Sequence, residues 1–67
     1  MIVVIDFEDK PPIVDMNYDG VLEEIRVKYK DKINQVLVVK TSAEAQTTQK
    51  LWRTRYDKRQ QAKSTGN

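Results

Sequence analysis

The stretch QVLVVKTSAE, residues 35 to 44, joins the two elements that decide the fold. Its first half is an apolar, β-branched run that is typical of a buried strand. Thr41 and Glu44 then have the spacing of a capping box, in which the Thr hydroxyl accepts a backbone hydrogen bond and the Glu reaches back. No Gly or Pro interrupts the polar sequence that follows, so we predict a long helix from about Ser42 to about Ala62.

Two strands are predicted upstream of this stretch. Residues 2 to 8, IVVIDFE, form a second apolar run rich in β-branched side chains. The two prolines of the following EDKPP cannot donate to a strand ladder, so the strand must end there. Residues 13 to 18, IVDMNY, alternate between apolar and polar side chains, and this pattern predicts a strand that returns as a hairpin.

The segment VLEEIRVKYKDKI, residues 21 to 33, fits two different structures. In a helix, apolar side chains would recur along one face at Leu22, Ile25, Tyr29 and Ile33. In a strand, apolar and basic residues would alternate from Ile25 to Lys30. We favour the helix, although it leaves the apolar Val27 on the exposed face.

These elements predict a small single α+β domain in the order β-β-α-β-α. It would have one small sheet, helices packed mainly on one of its faces, and a long basic C-terminal helix. If residues 21 to 31 are extended instead, the alternative is a four-stranded sheet plus the C-terminal helix. We predict that the domain covers residues 1 to 62 and that residues 63 to 67 form a disordered polar tail.

The chain of 67 residues contains neither Cys nor His, which limits both its stability and its chemistry. Disulfides and the usual zinc and haem ligands are excluded, so we predict no cofactor and no metal site. A chain of this length buries only about 60% of its unfolded surface, so a partner or a second copy would help to stabilise it. No apolar run approaches the roughly 20 residues of a membrane span, and we expect a cytoplasmic protein without membrane contact.

Catalysis receives little support from the sequence. Nucleophilic catalysis needs a general base, and the commonest one, His, is absent. The two glycines, Gly20 and Gly66, are too far apart to form a phosphate-binding loop. Acidic side chains near the predicted hairpin could bind Mg²⁺, but we interpret them as solvated strand and turn residues. We predict that the protein is not an enzyme and has no catalytic residues.

The net charge of +2 hides an uneven distribution of charge. Residues 1 to 24 contain seven acids and one base, whereas residues 25 to 67 contain eleven bases and three acids. Helix dipoles explain part of this pattern, but not the basic run near the C-terminus. We therefore predict two contact surfaces of opposite charge. The predicted protein-docking residues are Asp6, Glu8, Asp9, Asp15 and Trp52.

The stretch LWRTRYDKRQQAK, residues 51 to 63, carries five of the chain's twelve Lys and Arg residues. Its apolar stripe is narrow, so we predict that only the first half of the helix packs on the sheet and that residues from about Arg53 onward project into solvent. Trp52 fits either a core anchor or an interface hot spot. The predicted contacts to nucleic acid or to an acidic partner are Lys50, Arg53, Arg55, Tyr56, Lys58, Arg59 and Lys63.

These surfaces lead us to expect a non-enzymatic regulatory protein. Its acidic half would dock on a larger protein complex, such as RNA polymerase in a transcription complex, by analogy of size and charge with phage-encoded modulators. Its basic helix would contact RNA or DNA, or an acidic protein surface. One alternative is a stand-alone nucleic-acid binder with little sequence preference. Another is a homo-oligomerisation module with paired sheet edges. We expect a monomer or a weak homodimer.

Overall fold

Three strands form one antiparallel sheet with β1 in its centre. The computed structural model describes residues 1 to 65. Its strands are β1 (Ile2–Phe7), β2 (Ile13–Asp15) and β3 (Ile33–Val39), in the spatial order β2-β1-β3. β1 pairs with both neighbours and is buried from Val3 to Phe7, because strands flank it and helices cover its two faces.

The helices lie on opposite faces of this sheet. A 3₁₀ turn at Leu22–Glu24 leads into α1 (Ile25–Tyr29), and α2 covers Ser42–Thr65. The α+β class and the order β-β-α-β-α are confirmed, and the segment after Gly20 is helical. The expectation that the helices pack mainly on one face is wrong, since α1 and α2 contact different core clusters.

One strand supplies both clusters, because alternate residues of a strand point to opposite faces. On the α1 face the buried cluster consists of Val3, Ile5, Phe7, Tyr18 and Ile25. On the α2 face it consists of Val4, Val39, Ala45 and Trp52. Each cluster is small, so the loss of one large side chain removes a sizeable part of it.

β2 is shorter than its alternating sequence predicts. The strand ends at Asp15, where the backbone N–H of Asn17 donates to Asp15 Oδ1 over 3.2 Å. This side-chain-to-backbone bond is typical of an Asx turn, which competes with the strand ladder. The chain therefore turns toward α1, and Tyr18 is buried in the α1-face cluster instead of continuing the sheet.

α2 begins directly after the predicted cap residue Thr41 and continues beyond its predicted end. The backbone N–H of Glu44 donates to Thr41 Oγ1 over 3.1 Å, which satisfies one of the free donors at the helix start. The helix then runs to Thr65, past the predicted end near Ala62. Residues 66 and 67 of the predicted tail lie outside the described residues.

Candidate functional site: the two faces of the C-terminal helix

The inner face of α2 contacts the rest of the chain well beyond its first half. Trp52 is only 7% exposed, and Tyr56, one turn later, is partly buried. Arg59 is also partly buried, and its Nη2 donates to the carbonyl oxygen of Phe7 over 3.2 Å. The prediction that residues from about Arg53 onward project into solvent is therefore wrong for this face. Polar contacts of Arg59 hold this part of the inner face, where the apolar stripe is narrow.

Asp6, a predicted docking residue, is buried and faces Arg59, a predicted nucleic-acid contact. Only 6% of the Asp6 side chain is exposed, and its Oδ1 lies 4.0 Å from Arg59 Nη2. Gln35 Nε2 donates to Oδ2 over 3.4 Å, whereas Oδ1 has no hydrogen-bond partner among the described residues. A buried carboxylate needs a compensating charge, and Arg59 supplies it. These two residues contact each other, and any role in binding a partner stays a prediction.

Asp9 and Glu8, two other predicted docking acids, lie at the surface. Asp9 Oδ1 is 3.9 Å from the Nζ of Lys63, a predicted basic contact. Both side chains of this pair are exposed, so the pair contributes little to stability and both charges stay accessible to a partner. Glu8 is exposed and forms no ion pair with any residue from 1 to 65.

Asp15, the remaining predicted docking acid, connects β2 to α1. Its Oδ2 accepts from Lys28 Nζ over 2.6 Å and from the Tyr29 hydroxyl over 2.8 Å. The hydrogen bond from Lys28, and to a lesser extent the one from Tyr29, holds the pKa of Asp15 below its ordinary value of 3.8. The hydrogen bond to Asp15 also raises the pKa of Lys28 above 10.5. Burial, and secondly the bond to Asp15, raises the pKa of Tyr29 above 10.0.

Asp15→Asn should therefore lower the free energy of unfolding at neutral pH by about 1 kcal/mol, because two charge-assisted hydrogen bonds lose their strength. The folded-state pKa of Asp15 is depressed, so this contribution is present above pH 3.8 and is lost as the pH falls through the folded-state value. Urea unfolding from about pH 7 to about pH 2 should show the difference between wild type and variant shrinking in acid. Asp19→Asn, at an exposed acid, is the matched control. A difference that persists unchanged at about pH 2 would contradict this assignment.

The outer face of α2 carries cations without internal partners. Lys50, Arg55 and Lys58 are exposed and form no ion pair with the chain from residue 1 to 65. Arg53 is exposed as well, but its Nε donates to Asp57 Oδ1 over 3.2 Å. The three unpaired cations extend over roughly 12 Å of the helix. At about 100° per residue, Lys50 and Lys58 lie on its outer half, about 160° and 120° from Trp52, whereas Arg55 lies on a flank, about 60° from Trp52.

The two aromatic side chains of α2 differ in their accessibility to a base. Trp52 is buried in the α2-face cluster, which makes it a core anchor, one of the two roles that the sequence left open. Tyr56 is partly buried, and the Arg59 guanidinium lies 5.8 Å from its ring centroid. Tyr56 as a contact to nucleic acid stays a prediction.

Comparisons with known proteins add no candidate function. No protein family, curated protein or solved structure matches this chain. Among residues 1 to 65, no three or more acidic side chains are grouped so that they could hold a metal ion. In the same range, no helix has the length and apolar character needed to cross a membrane.

The open edge of β3 is an exposed feature that no predicted site residue marks. Residues 33 to 39 contain no charged side chain and no Pro, and the first charges lie outside the strand at Lys32 and Lys40. Leu37 and Val38 are 43% and 44% exposed, on opposite faces of the sheet. Natural edge strands are usually protected by charges, prolines or bulges. The uncharged run is visible in the sequence, but its edge position follows only from the strand order.

Several apolar side chains on and just before α1 are also exposed. Val21, Leu22 and Val27 are exposed, and Val27 reaches 72%. The acidic side chains of Glu23 and Glu24 are exposed beside them. These side chains are apolar and acidic, as the predicted docking residues are, but none of them belongs to that predicted set. The exposed Val27 was the one feature that the helical interpretation left unexplained.

Proposed function

We propose that this chain is a non-enzymatic binding protein that docks on a larger protein assembly and presents the outer face of α2 to nucleic acid. One observation carries the proposal: the inner face of α2 is used by the fold, whereas Lys50, Arg55 and Lys58 are exposed without an ion-pair partner among residues 1 to 65. Unpaired cations of this kind bind phosphates by releasing counterions. A cytoplasmic location is part of the proposal, since a chain without Cys suits a reducing compartment.

The number of unpaired cations supports an accessory role over stand-alone binding. Each neutralised phosphate contributes roughly 0.9 to the slope of log K against log salt, so three cations give a slope of about −3. Binding by this face alone should be weak and should lack sequence preference. Such a contact becomes useful when another surface holds the chain beside the nucleic acid, because the effective concentration is then high.

The surface around α1 is our candidate for the protein-docking half. Val21, Leu22 and Val27 are exposed apolar side chains on or next to α1, and the exposed acids Glu23 and Glu24 lie between them in the sequence. An apolar centre with a charged rim is the usual anatomy of a protein interface. The acids favour a partner surface with basic residues. A transcription complex such as RNA polymerase is the kind of assembly we propose, because it holds nucleic acid beside protein surfaces.

Replacing Lys50, Arg55 and Lys58 together by Gln should weaken binding to mixed-sequence nucleic acid at least tenfold. The wild type should bind with a dissociation constant of about 10 to 100 μM at about 50 mM salt, and more weakly at about 200 mM. Fluorescence anisotropy of labelled single-stranded and duplex 20-mers measures both values, and circular dichroism checks the fold.

The charge-matched control replaces three exposed cations outside α2, namely Arg26, Lys32 and Lys40, by Gln. This control should retain most of the affinity, since its residues are not on the outer face of α2. An equal loss in both triple variants, or no binding at the lower salt, would overturn the nucleic-acid half of the proposal. Binding of poly-glutamate in preference to nucleic acid would instead identify an acidic protein surface as the partner.

A further inference from the structure

We infer that the cleft between Pro12 and α2 binds a phosphate group. The cleft has a volume of about 530 Å³ and is lined by Pro12, Gln49, Lys50, Arg53 and Thr54. This volume lies within the range of about 300 to 1,000 Å³ that is usual for ligand sites. The inference rests on the proposed function, in which the phosphate belongs to nucleic acid, and it adds Arg53 to the binding residues.

The charged side chains that line the cleft are both positive. Lys50 and Arg53 are three residues apart, so they are neighbours on the helix surface. Lys50 forms no ion pair with any residue from 1 to 65. No carboxylate is found among the described residues that line the cleft. A concave surface with charges of one sign attracts a ligand of the opposite sign, which here is an anion.

Arg53 keeps donors for an anion although it belongs to an ion pair. Its Nε donates to Asp57 Oδ1 over 3.2 Å, whereas its two Nη atoms have no hydrogen-bond partner among residues 1 to 63. Both side chains of the pair are more than half exposed, so the pair is weak and an anion can compete with it. A guanidinium fork matches the oxygens of a phosphate and can donate two parallel hydrogen bonds to them.

Hydrogen bonds within the chain hold the two sides of the cleft together. The partly buried Gln49 donates through Nε2 to the carbonyl oxygen of Pro12 over 3.0 Å, which ties the loop before β2 to α2. Thr54 Oγ1 donates to the carbonyl oxygen of Lys50 over 3.0 Å, so its hydroxyl proton is already bound. The shape of the cleft therefore exists without a ligand, and little ordering is needed on binding. Lys50 and Arg53 are the main donors that it offers.

Titration of the full chain with inorganic phosphate tests the cleft directly. In proton–nitrogen correlation spectra, the Nε–H resonance of Arg53 and the backbone amides of Gln49, Lys50 and Thr54 should shift together. Two charge-assisted contacts at an exposed site give a dissociation constant on the order of 1 to 10 mM. Sodium chloride at matched ionic strength controls for screening, and sodium acetate controls for carboxylates. Shifts of the same size with either salt, or no saturating shift with phosphate, would overturn the inference.

Substitutions separate a phosphate site from general attraction by positive charge. Arg53→Gln should weaken phosphate binding at least about fivefold, and Lys50→Gln should weaken it at least about twofold. Arg53→Lys keeps the charge but removes the fork, so it should weaken binding about threefold.

The matched controls are Arg26→Gln and Lys40→Gln, at exposed residues that do not line the cleft. Each should change the dissociation constant by less than about 1.5-fold, because distant exposed charges are screened. All the replaced residues are exposed, so every variant should fold, which circular dichroism checks. Equal losses in Arg53→Gln and Arg26→Gln, or wild-type binding by Arg53→Lys, would contradict the assignment.

Duplex 20-mers identify the source of the phosphate. Arg53→Gln should weaken their binding and reduce the slope of log K against log salt by about 0.9, the value for one phosphate contact. Equal affinity for 20-mers with a 5′-hydroxyl and a 5′-phosphate assigns the cleft to internal phosphodiesters, whereas tighter binding of the 5′-phosphate assigns it to a strand end.

The cleft and the proposed function can fail separately. A chain that binds inorganic phosphate in the cleft but binds no 20-mer would overturn the nucleic-acid half of the proposed function and leave the phosphate site standing. Binding of 20-mers that Arg53→Gln leaves unchanged, together with no phosphate-specific shifts, would overturn the phosphate site and leave the proposed function standing.

Discussion

Trp52→Ala is expected to lower the free energy of unfolding by about 3 to 5 kcal/mol, a large part of what a small domain possesses. Trp52 is 7% exposed and is the largest side chain of the α2-face cluster. Its neighbours there include Val4 and Ala45, which are too small to fill the cavity that the truncation would leave. The variant should therefore lose both apolar burial and the packing of α2 on the sheet.

The neighbouring residue offers the control for this variant. Leu51 is 52% exposed, so Leu51→Ala should change the free energy of unfolding by less than about 0.5 kcal/mol. Urea unfolding followed by far-ultraviolet circular dichroism measures both variants, because the fluorescence of Trp52 is lost in one of them. A cost below about 1 kcal/mol for Trp52→Ala would contradict its role as a core anchor.

Arg59→Met is expected to destabilise the fold by about 2 to 3 kcal/mol. The change leaves the buried Asp6 carboxylate without its cation and removes the hydrogen bond to the carbonyl oxygen of Phe7. Losing one partner of a fully buried pair costs about 3 to 5 kcal/mol. The expected cost here is lower, since 38% of the Arg59 side chain is exposed and water screens the pair. Met keeps much of the aliphatic volume, so the loss measures mainly the polar contacts.

Two further variants separate this ion pair from general effects of removing an Arg. Arg55→Met, at an exposed position on the same helix, should cost less than about 0.5 kcal/mol in dilute solution. Combining Asp6→Asn with Arg59→Met should recover part of the stability lost in Arg59→Met, because the uncompensated charge is gone. Costs of Asp6→Asn and Arg59→Met that simply add in the double variant would show that the two side chains are not coupled. Urea unfolding at neutral pH gives all four values.

Local sequence patterns predicted most of the elements. The apolar β-branched runs are found as β1 and β3, and the Thr41 hydroxyl caps α2 by accepting from the backbone N–H of Glu44. The ambiguous segment is helical, with Ile25 buried and Val27 exposed as the helical spacing requires. The second strand was predicted too long because an Asx turn at Asp15 competes with the ladder.

The sequence did not predict the internal contacts of the charged residues. Arg59 is partly buried beside Asp6, and Lys63 lies at the surface 3.9 Å from Asp9, while the role of either in binding a partner stays a prediction. The width of an apolar stripe reports only apolar packing, so it cannot identify an inner face held by an Arg and a carboxylate. One feature of the sequence does point to this contact. Asp6 lies in an apolar run that is predicted to be buried, and a buried carboxylate implies a compensating cation elsewhere in the chain.

The sequence by itself determined the fold class, the helix start, the absence of disulfides and the basic character of α2, since each follows from residue type and near-neighbour spacing. Only the tertiary structure decided that β3 is an open edge, that the helices lie on opposite faces, and which charges pair internally. The physical reason is that these features depend on contacts between residues that are far apart in the sequence. Strand order and register bring residues such as Asp6 and Arg59 together across most of the chain, and no local pattern encodes that distance.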